Sequence, residues 1–452
     1  MMNHGRLVPP LIGLLSLALG AATPAQDSGA PALRRTGDLL RPADKPLDPR
    51  IKPDRITESD PPALPDPGAL ASPPPPAHRL AASAAEVPLD AERWARAHEA
   101  IRRGLDFLRA RQHASGGWMV DAQVAPTDEV RKSPVSVAVT AMALKAFAQA
   151  GADVMGDERL TRALEYVRTA QNADGSFDQT IMSNYVTSAV TSALAAIDDR
   201  SLRDQMVLAT RWLKETQWDQ TEGLSPRQDW FGGAGYGNNG RPDLSNTQMM
   251  LDALYDAGVS PDDPAMQRAL VFLARTQNLK QVNNAPWAGD DGGFVYTAAN
   301  GGESFASETA GEGRRGENIP AGEPRSLRSY GSMTYAGFKS MLYAGLSKDD
   351  PRVKAALDWL RAHWTFEQNP GVGKQGLFYY YHTLARALRA SDLDRLSDTD
   401  GVEHDWRAEL IDALLARQAA DGSWVNDADR WMESDPSLVT TYAVLALEEA
   451  LK

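Results

Sequence analysis

The sequence contains no cysteine. Disulfides, thiolate-bound zinc, cysteine nucleophiles and lipid attachment at an N-terminal cysteine are therefore excluded. An oxidising, periplasmic-type compartment suits a chain with no thiol to protect. Histidine is scarce: the 7 residues show no H-x-x-x-H or similar metal-ligand spacing, so no metal and no cofactor are expected. A long apolar run is missing as well. Leu11 to Leu19 is too short to span a bilayer, and no transmembrane span is expected in the mature chain. Positive charge is in deficit. The net charge of -13 argues against nucleic acid and anionic membrane surfaces as partners.

What is present divides the 452 residues into three parts. Arg6, the run Leu11 to Leu19, and Thr23-Pro24-Ala25 before Gln26 are the charged, apolar and small-residue parts of a secretory signal peptide. Residues 1–25 are therefore expected to direct export, to a secreted or periplasmic location; an uncleaved anchor is the competing reading. Residues 26–89 carry Pro61-Pro62, Pro65, Pro67 and the run Pro73 to Pro76. Such a stretch buries too little apolar surface to offset chain entropy and reads as a disordered linker. A plain spacer and a polyproline recognition segment both remain open for it. Residues 90–452 are the folding unit.

Within that unit two kinds of segment alternate, six times each. One is amphipathic and ends in glutamine in five of its copies, as in Gly104 to Gln112, Ala163 to Gln171, Arg211 to Gln217, Ala269 to Gln277 and Leu414 to Gln418; Ala356 to Leu360 follows the same apolar spacing. Its apolar residues recur at spacings of three and four, which makes one buried helical stripe. The other kind is apolar and small on nearly all sides: Ser136 to Ala150, Tyr185 to Ile197, Ser245 to Gly258, Ser332 to Gly345, Leu377 to Ala390 and Leu438 to Leu451. A helix of that sort must be covered on most faces. The pattern predicts an all-α ring of about six hairpins, polar-faced helices outside and apolar ones inside. The last segment is apolar and so closes a ring rather than capping a solenoid. Strands are expected at most as short pieces in the insert 278–326.

The joints carry a recognisable pattern. Gln112 to Trp118 and Gln418 to Trp424 fit Q-x-x-x-G-x-W, and Gln171 to Phe177 is the same with phenylalanine. Glycine permits a left-handed exit from the helix, glutamine can bridge backbone groups freed at helix ends, and the aromatic ring packs as a brace. Over residues 95–452 the chain resembles the squalene-hopene and oxidosqualene cyclases, through their QW motif, the prenyltransferase and squalene oxidase repeat. The resemblance implies a single α/α toroid of the terpenoid-cyclase and protein-prenyltransferase type, with an apolar isoprenoid-like molecule in a central cavity. Class II cyclases protonate their substrate with the central aspartate of D-x-D-D-T at the start of an inner helix. The matching segment here is Asp243-Leu244-Ser245-Asn246-Thr247-Gln248. Asp243 and Thr247 fit, but Ser245 and Asn246 stand where the key aspartates would be, and neither is an acid.

Other residues can carry chemistry. Tyr330 and Tyr335 open the fourth inner segment, with Lys339 one turn on, and Tyr379-Tyr380-Tyr381-His382 lie in the fifth. Three consecutive tyrosines cannot all face one cavity. Tyr330, Tyr335, Tyr381 and His382, with Asn246 and Gln248, are the expected lining; Asp243, His382 and Tyr335 are the candidate catalytic groups. For His382 a general acid or base and a hydrogen-bonded core histidine are both open. Asp290-Asp291 read either as a magnesium or proton-sharing pair or as part of a joint whose glutamine, Gln277, is split from its glycine by an insertion. Glu303, Glu308, Glu312, Arg314, Arg315 and Glu317 read as a solvated loop and a candidate lid.

Three functions compete. The first is a cyclase-like isoprenoid protein, with catalysis left open by the missing acid. The second is a non-catalytic toroid holding an apolar molecule or an envelope protein. The third is an envelope glycan lyase or hydrolase, for which Asp243, Asp290, Asp291 and Glu303 are the available carboxylates. The N-terminal reading is tested directly. Mass spectrometry of the exported protein is expected to find a mature N-terminus at or next to Gln26; intact Met1 in the cytosolic fraction contradicts it.

Overall fold

Helices of two kinds alternate along the chain, and their ends are set by local sequence. The computed structural model describes residues 89–118, 133–179, 182–237, 240–306 and 326–452. The expected signal peptide, the linker up to residue 88, and Glu308, Glu312, Arg314, Arg315 and Glu317 lie outside the described residues. The amphipathic helices are α1 (Ala91–Arg111), α3 (Glu158–Arg168), α5 (Arg203–Glu215), α7 (Pro264–Thr276), α9 (Pro351–Ala362) and α11 (Trp406–Leu415). The apolar ones are α2 (Pro134–Gln149), α4 (Ser183–Ile197), α6 (Leu244–Asp256), α8 (Gly331–Tyr343), α10 (Leu377–Ser391) and α12 (Pro436–Leu451). Aspartate side chains cap α1, α3, α6, α7, α9, α11 and α12 by accepting backbone N–H groups of the first turn. Proline in the first turn of α2, α7, α9 and α12 has its φ already set for a helix.

The apolar helices form a closed ring. α2 packs on α4, α4 on α6, α6 on α8, α8 on α10, α10 on α12, and α12 returns to α2. The amphipathic helices lie outside; α1 packs on α12 and on α11, which joins the two ends of the chain. The all-α toroid of six hairpins expected from the sequence is the architecture observed. Strand content among the described residues is two short antiparallel pairs, β1 (Ala234–Gly235) with β2 (Pro242–Asp243) and β3 (Arg395–Ser397) with β4 (Glu403–Asp405). Neither pair lies in the 278–326 insert, whose described residues form isolated bridges, Gln277 with Phe294 and Thr297 with Glu303.

The joints share one geometry. Gln112 Nε2 donates to Gly116 O at 2.7 Å and to Arg159 O in the first turn of α3 at 2.8 Å. Gln171 reaches Gly175 O and Gln205 O of α5, and Gln418 reaches Gly422 O and Ala100 O of α1. In two joints an insertion separates the partners. Gln217 donates to Gly232 O and Ala265 O of α7, and Gln277 to Gly292 O and Arg352 O of α9. Glycine is required at each. Gly116 sits at φ +98° and Gly422 at +90°, and an added Cβ would stand 2.4 Å from Arg162 O and 2.5 Å from Arg103 O. Two residues on, the N–H of Trp118, Phe177, Ala234, Phe294 or Trp424 donates to a threonine on the next inner helix: Thr140, Thr187, Thr247, Thr334 or Thr440. The indoles of Trp118 and Trp424 donate back to Leu108 O and Leu414 O, both at 2.8 Å. The α9–α10 joint has no such glutamine. There Tyr380 and Tyr381 donate to Thr365 O and Phe366 O, and Arg417 also donates to Phe366 O.

Trp424 is fully buried at the joint where the ring closes. Trp424→Ala is expected to cost about 3–5 kcal/mol, read as a lowered urea midpoint. Val425→Ala, at a side chain 49% exposed, is expected to stay within about 0.5 kcal/mol. An unchanged midpoint for Trp424→Ala contradicts the bracing role.

Candidate functional site

Because the inner helices run parallel with their N-termini at one end, side chains spaced by one helical turn point together at the ring axis. They line a cavity enclosing about 1400 Å³ of empty space, its solvent-open part included. On α4 the lining residues are Tyr185, Ala189 and Ser192; on α6, Ser245, Met249 and Asp252; on α10, Tyr379, His382 and Arg386. From Val135 to Lys145 on α2 the lining spans roughly 15 Å of helix rise. Loops before the inner helices add Tyr236, Tyr296, Phe305, Trp431, Met432 and Glu433 at the N-terminal end. Aromatic, methionine and aliphatic side chains dominate.

The expected lining is only partly realised. Tyr330 and His382 face the cavity. Tyr335 does not: it is buried edge-to-face on Tyr380 at 5.6 Å, between α8 and α10. Tyr381 is taken up by the α9–α10 joint, and Tyr379, two residues earlier, faces the axis in its place. The helical turn explains this, since Tyr379, His382 and Arg386 share a face that excludes Tyr381. Asn246 turns away from the axis. Its amide donates to Asp243 Oδ2 at 2.8 Å, and Asn184 of α4 donates to its carbonyl oxygens. Gln248 lies just behind the wall, donating to Tyr379 OH at 3.0 Å and accepting from Lys339 Nζ at 2.8 Å.

Asp243 is the N-cap of α6 and is outside the lining. Burial pushes its carboxyl up to about 6, against hydrogen bonds from Asn246, the nearby Arg241 and a hydrogen bond from Tyr296. The Tyr296 ring, which does line the cavity, stands beside it. Ser245 presents its hydroxyl to the cavity instead, hydrogen-bonded to the Tyr185 hydroxyl and to Tyr379 OH at 3.2 Å. Asp290 and Asp291 serve the Gln277 joint: Asp290 accepts from Lys280 N, and Asp291 accepts from Gly293 N and Ser329 Oγ. Glu303 is buried and paired with Arg241, so it is not the solvated group expected. None of Asp243, Asp290, Asp291 and Glu303 lines the cavity, which removes the carboxylates on which a glycan-cleaving site was to rest.

Two sets of groups, Lys339 apart, were not expected from the sequence. At the third-turn level, Lys339 Nζ donates to Asp252 Oδ2 at 2.7 Å, Lys145 Nζ to Asp256 Oδ2 at 2.6 Å, and Arg386 Nη2 to Asp256 Oδ1 at 2.8 Å. Burial lowers Lys339 to about 8 despite Asp252, and it lowers Lys145 too. Burial, with Arg386, Lys339 and Lys145 close by, holds His382 well below its usual range, so its imidazole is neutral at physiological pH. The available signal was a single charge inside an otherwise apolar run. The second group is Glu433. It accepts from the backbone N–H groups of Phe378 and Tyr379 and from Asn426 Nδ2 at 2.6 Å, capping α10 from a distant loop because Gly376 at the cap has no side chain. Burial nevertheless pushes it up to about 7. Before it, Trp431 and Met432 hold left-handed backbone at φ 60° and 65°, a conformation costly for such residues.

Glu433 gives a pH test. An unfolded glutamate titrates near 4.3, and Glu433 in the fold near 7. Between those values the native state holds a proton that the unfolded chain has released, so stability falls as pH rises. The stability of the natural protein minus that of Glu433→Gln is expected to drop by on the order of 2–3 kcal/mol between pH 4.5 and 7.5; Asp243 is common to both and cancels. Urea melts across that range check it, and a difference that grows with pH contradicts it.

Residues 127–294 match the family model of the squalene-hopene cyclase C-terminal domain. No curated protein matches the chain. Solved structures similar to it include a type II terpene cyclase from Scytonema bound to geranylgeranyl dihydroxybenzoate, at 13% identity and a TM-score of 0.45, covering 80% of this chain and 98% of that one. A wild-type glycosidase is similar at 15% identity and a TM-score of 0.36, covering 80% of this chain and 99% of that one. By the family match over residues 127–294 and by its closed ring of helices, the chain resembles the terpene cyclases and is an α/α toroid of their kind.

Proposed function

We propose that the ring holds one elongated apolar small molecule of isoprenoid type in its central cavity, and that it does not carry out the acid-initiated cyclisation of squalene. The observation that carries this is the lining itself, a tube of tyrosine, methionine and aliphatic side chains along the axis. Burying an apolar ligand there removes hydrophobic surface from water, and the tyrosine faces suit an alkene or a cation. Most of the lining surface is apolar, whereas each hydroxyl of a sugar needs a polar partner.

The chemistry of the wall argues against cyclisation. An isolated alkene is a very weak base, and its protonation needs a strong acid in a dry site. Ser245 has no acidic proton to give, and Asp243 is set behind the wall. The lining carboxyls among the described residues are Asp252, bound to Lys339, and Glu433. An acid near 7 can protonate an activated oxygen or nitrogen but not an alkene.

The same proposal assigns the ring to the cell envelope, exported by residues 1–25 and spaced by residues 26–89, with a small molecule or an envelope protein as partner. The N-terminal composition supports it. No helix among the described residues is long and apolar enough to cross a membrane.

Incubation with squalene and oxidosqualene, followed by mass spectrometry of extracted lipid, is expected to give no cyclic product, while a prenol quenches tryptophan fluorescence saturably. Cyclic product lost on Asp243→Asn overturns the proposal and restores a cyclase; absence of any isoprenoid binding overturns the ligand class.

A further inference from the structure

Asp252 is the place where the cavity is least satisfied. Its side chain is buried on α6 and lines the cavity at the third-turn level. One oxygen, Oδ2, accepts from Lys339 Nζ at 2.7 Å and lies 3.7 Å from Arg386 Nη1. The other, Oδ1, is buried with no hydrogen-bond partner. A buried carboxyl oxygen left without a donor is costly, and native structures rarely keep one without a reason.

The protein donors nearby are committed elsewhere. Lys339 is shared between Asp252 Oδ2 and Gln248, Lys145 is bound to Asp256, and Arg386 is bound to Asp256 and Tyr343. Asp252 lines the cavity, but Oδ1 itself is covered, so a ligand group reaches it as the carboxylate turns toward the axis. His382, which lines the same cavity from α10, also has a buried and unpartnered atom, Nδ1. Two residues of the cavity wall therefore each carry a buried polar atom that the protein does not satisfy.

We propose, resting on the reading of the ring as an apolar-ligand carrier, that the ligand bears an uncharged hydrogen-bond donor, a hydroxyl, which Asp252 Oδ1 receives inside the tube. Charge selects the hydroxyl over other heads. An ammonium donor would meet Lys145, Lys339 and Arg386 around the same level. A carboxylate or phosphate would set acceptor against acceptor at Oδ1. A hydroxyl donates to Oδ1 and still presents lone pairs to the imidazole of His382 or to the surrounding cations. A ketone, an ether or a hydrocarbon leaves Oδ1 unmet.

The test compares geranylgeraniol, geranylgeranyl methyl ether and squalene by fluorescence titration of the full-length protein. The alcohol is expected to bind about tenfold tighter than its methyl ether, the effect of one hydrogen bond to a buried group. In Asp252→Asn the carboxamide keeps its oxygen on Lys339 and turns its NH2 to the cavity, so the preference for alcohol over ether is expected to vanish. Equal binding of alcohol and ether by the unaltered protein overturns the inference while leaving the apolar-ligand reading intact. So does a preference that survives in a folded Asp252→Asn, its fold checked by circular dichroism. Failure of all three molecules to bind overturns the underlying reading instead. Where Asp252→Asn does not fold, the comparison in the unaltered protein decides alone.

Discussion

The structure depends on one side-chain amide used five times. A glutamine at the end of an outer helix donates both its hydrogens, one to the carbonyl of a left-handed glycine four or fifteen residues on, the other to a carbonyl in the first turn of the next outer helix or, where the ring closes, to Ala100 midway along α1. A helix start has carbonyls engaged within the helix, but each retains a second lone pair, so the bridge costs the helix nothing. The left-handed turn brings the backbone against the neighbouring helix so closely that only glycine fits. Repetition makes a rotation. When Gln418 meets Ala100, 318 residues away, the rotation has closed, and both ends of the chain are held by the contact that joins successive hairpins elsewhere.

Closure is what creates the cavity. Six parallel inner helices cannot all touch at one axis, and the space they leave is lined by one face of each, three turns deep except on α8, whose lining stops at Met333 in the first turn. The N-terminal turns meet loops bearing Tyr236, Tyr296, Phe305 and Trp431, which makes that end aromatic. Deeper in, Lys145, Asp252, Lys339, Arg386 and Asp256 form a buried ionic network. Such networks contribute little net stability, because desolvation offsets the Coulomb attraction. Lys145, Asp252 and Arg386 of this network line the cavity.

The fold was legible because its signals are periodic and local. Alternating amphipathic and apolar runs, glutamine at the outer helix ends and glycine four residues on are each visible without three-dimensional knowledge, and even the split joint at Gln277 announces itself through Asp291-Gly292-Gly293-Phe294. The threonine that receives the joint backbone on each inner helix was overlooked, since a lone Thr140 or Thr440 in a small-residue helix has no local mark. The site was less legible, because facing the axis is a matter of helical phase. A shift of two residues along α10 exchanges Tyr381 for Tyr379. Glu433 reaches the cavity from a loop whose left-handed Trp431 and Met432 no pattern foretells. Asp252 and Arg386 were within reach, as isolated charges in apolar runs.

If the ring axis is the binding site proposed above, filling it must weaken binding. Ala138 faces the cavity from α2 with only a methyl group, and Ala138→Phe projects a ring into the tube without touching a joint. The dissociation constant of geranylgeraniol for this variant is the direct measurement. At least a tenfold weaker affinity is expected, because a bulky group occludes the ligand's place, with the melting temperature kept or raised. An unchanged affinity in a folded variant would put the ligand outside the ring and contradict the account.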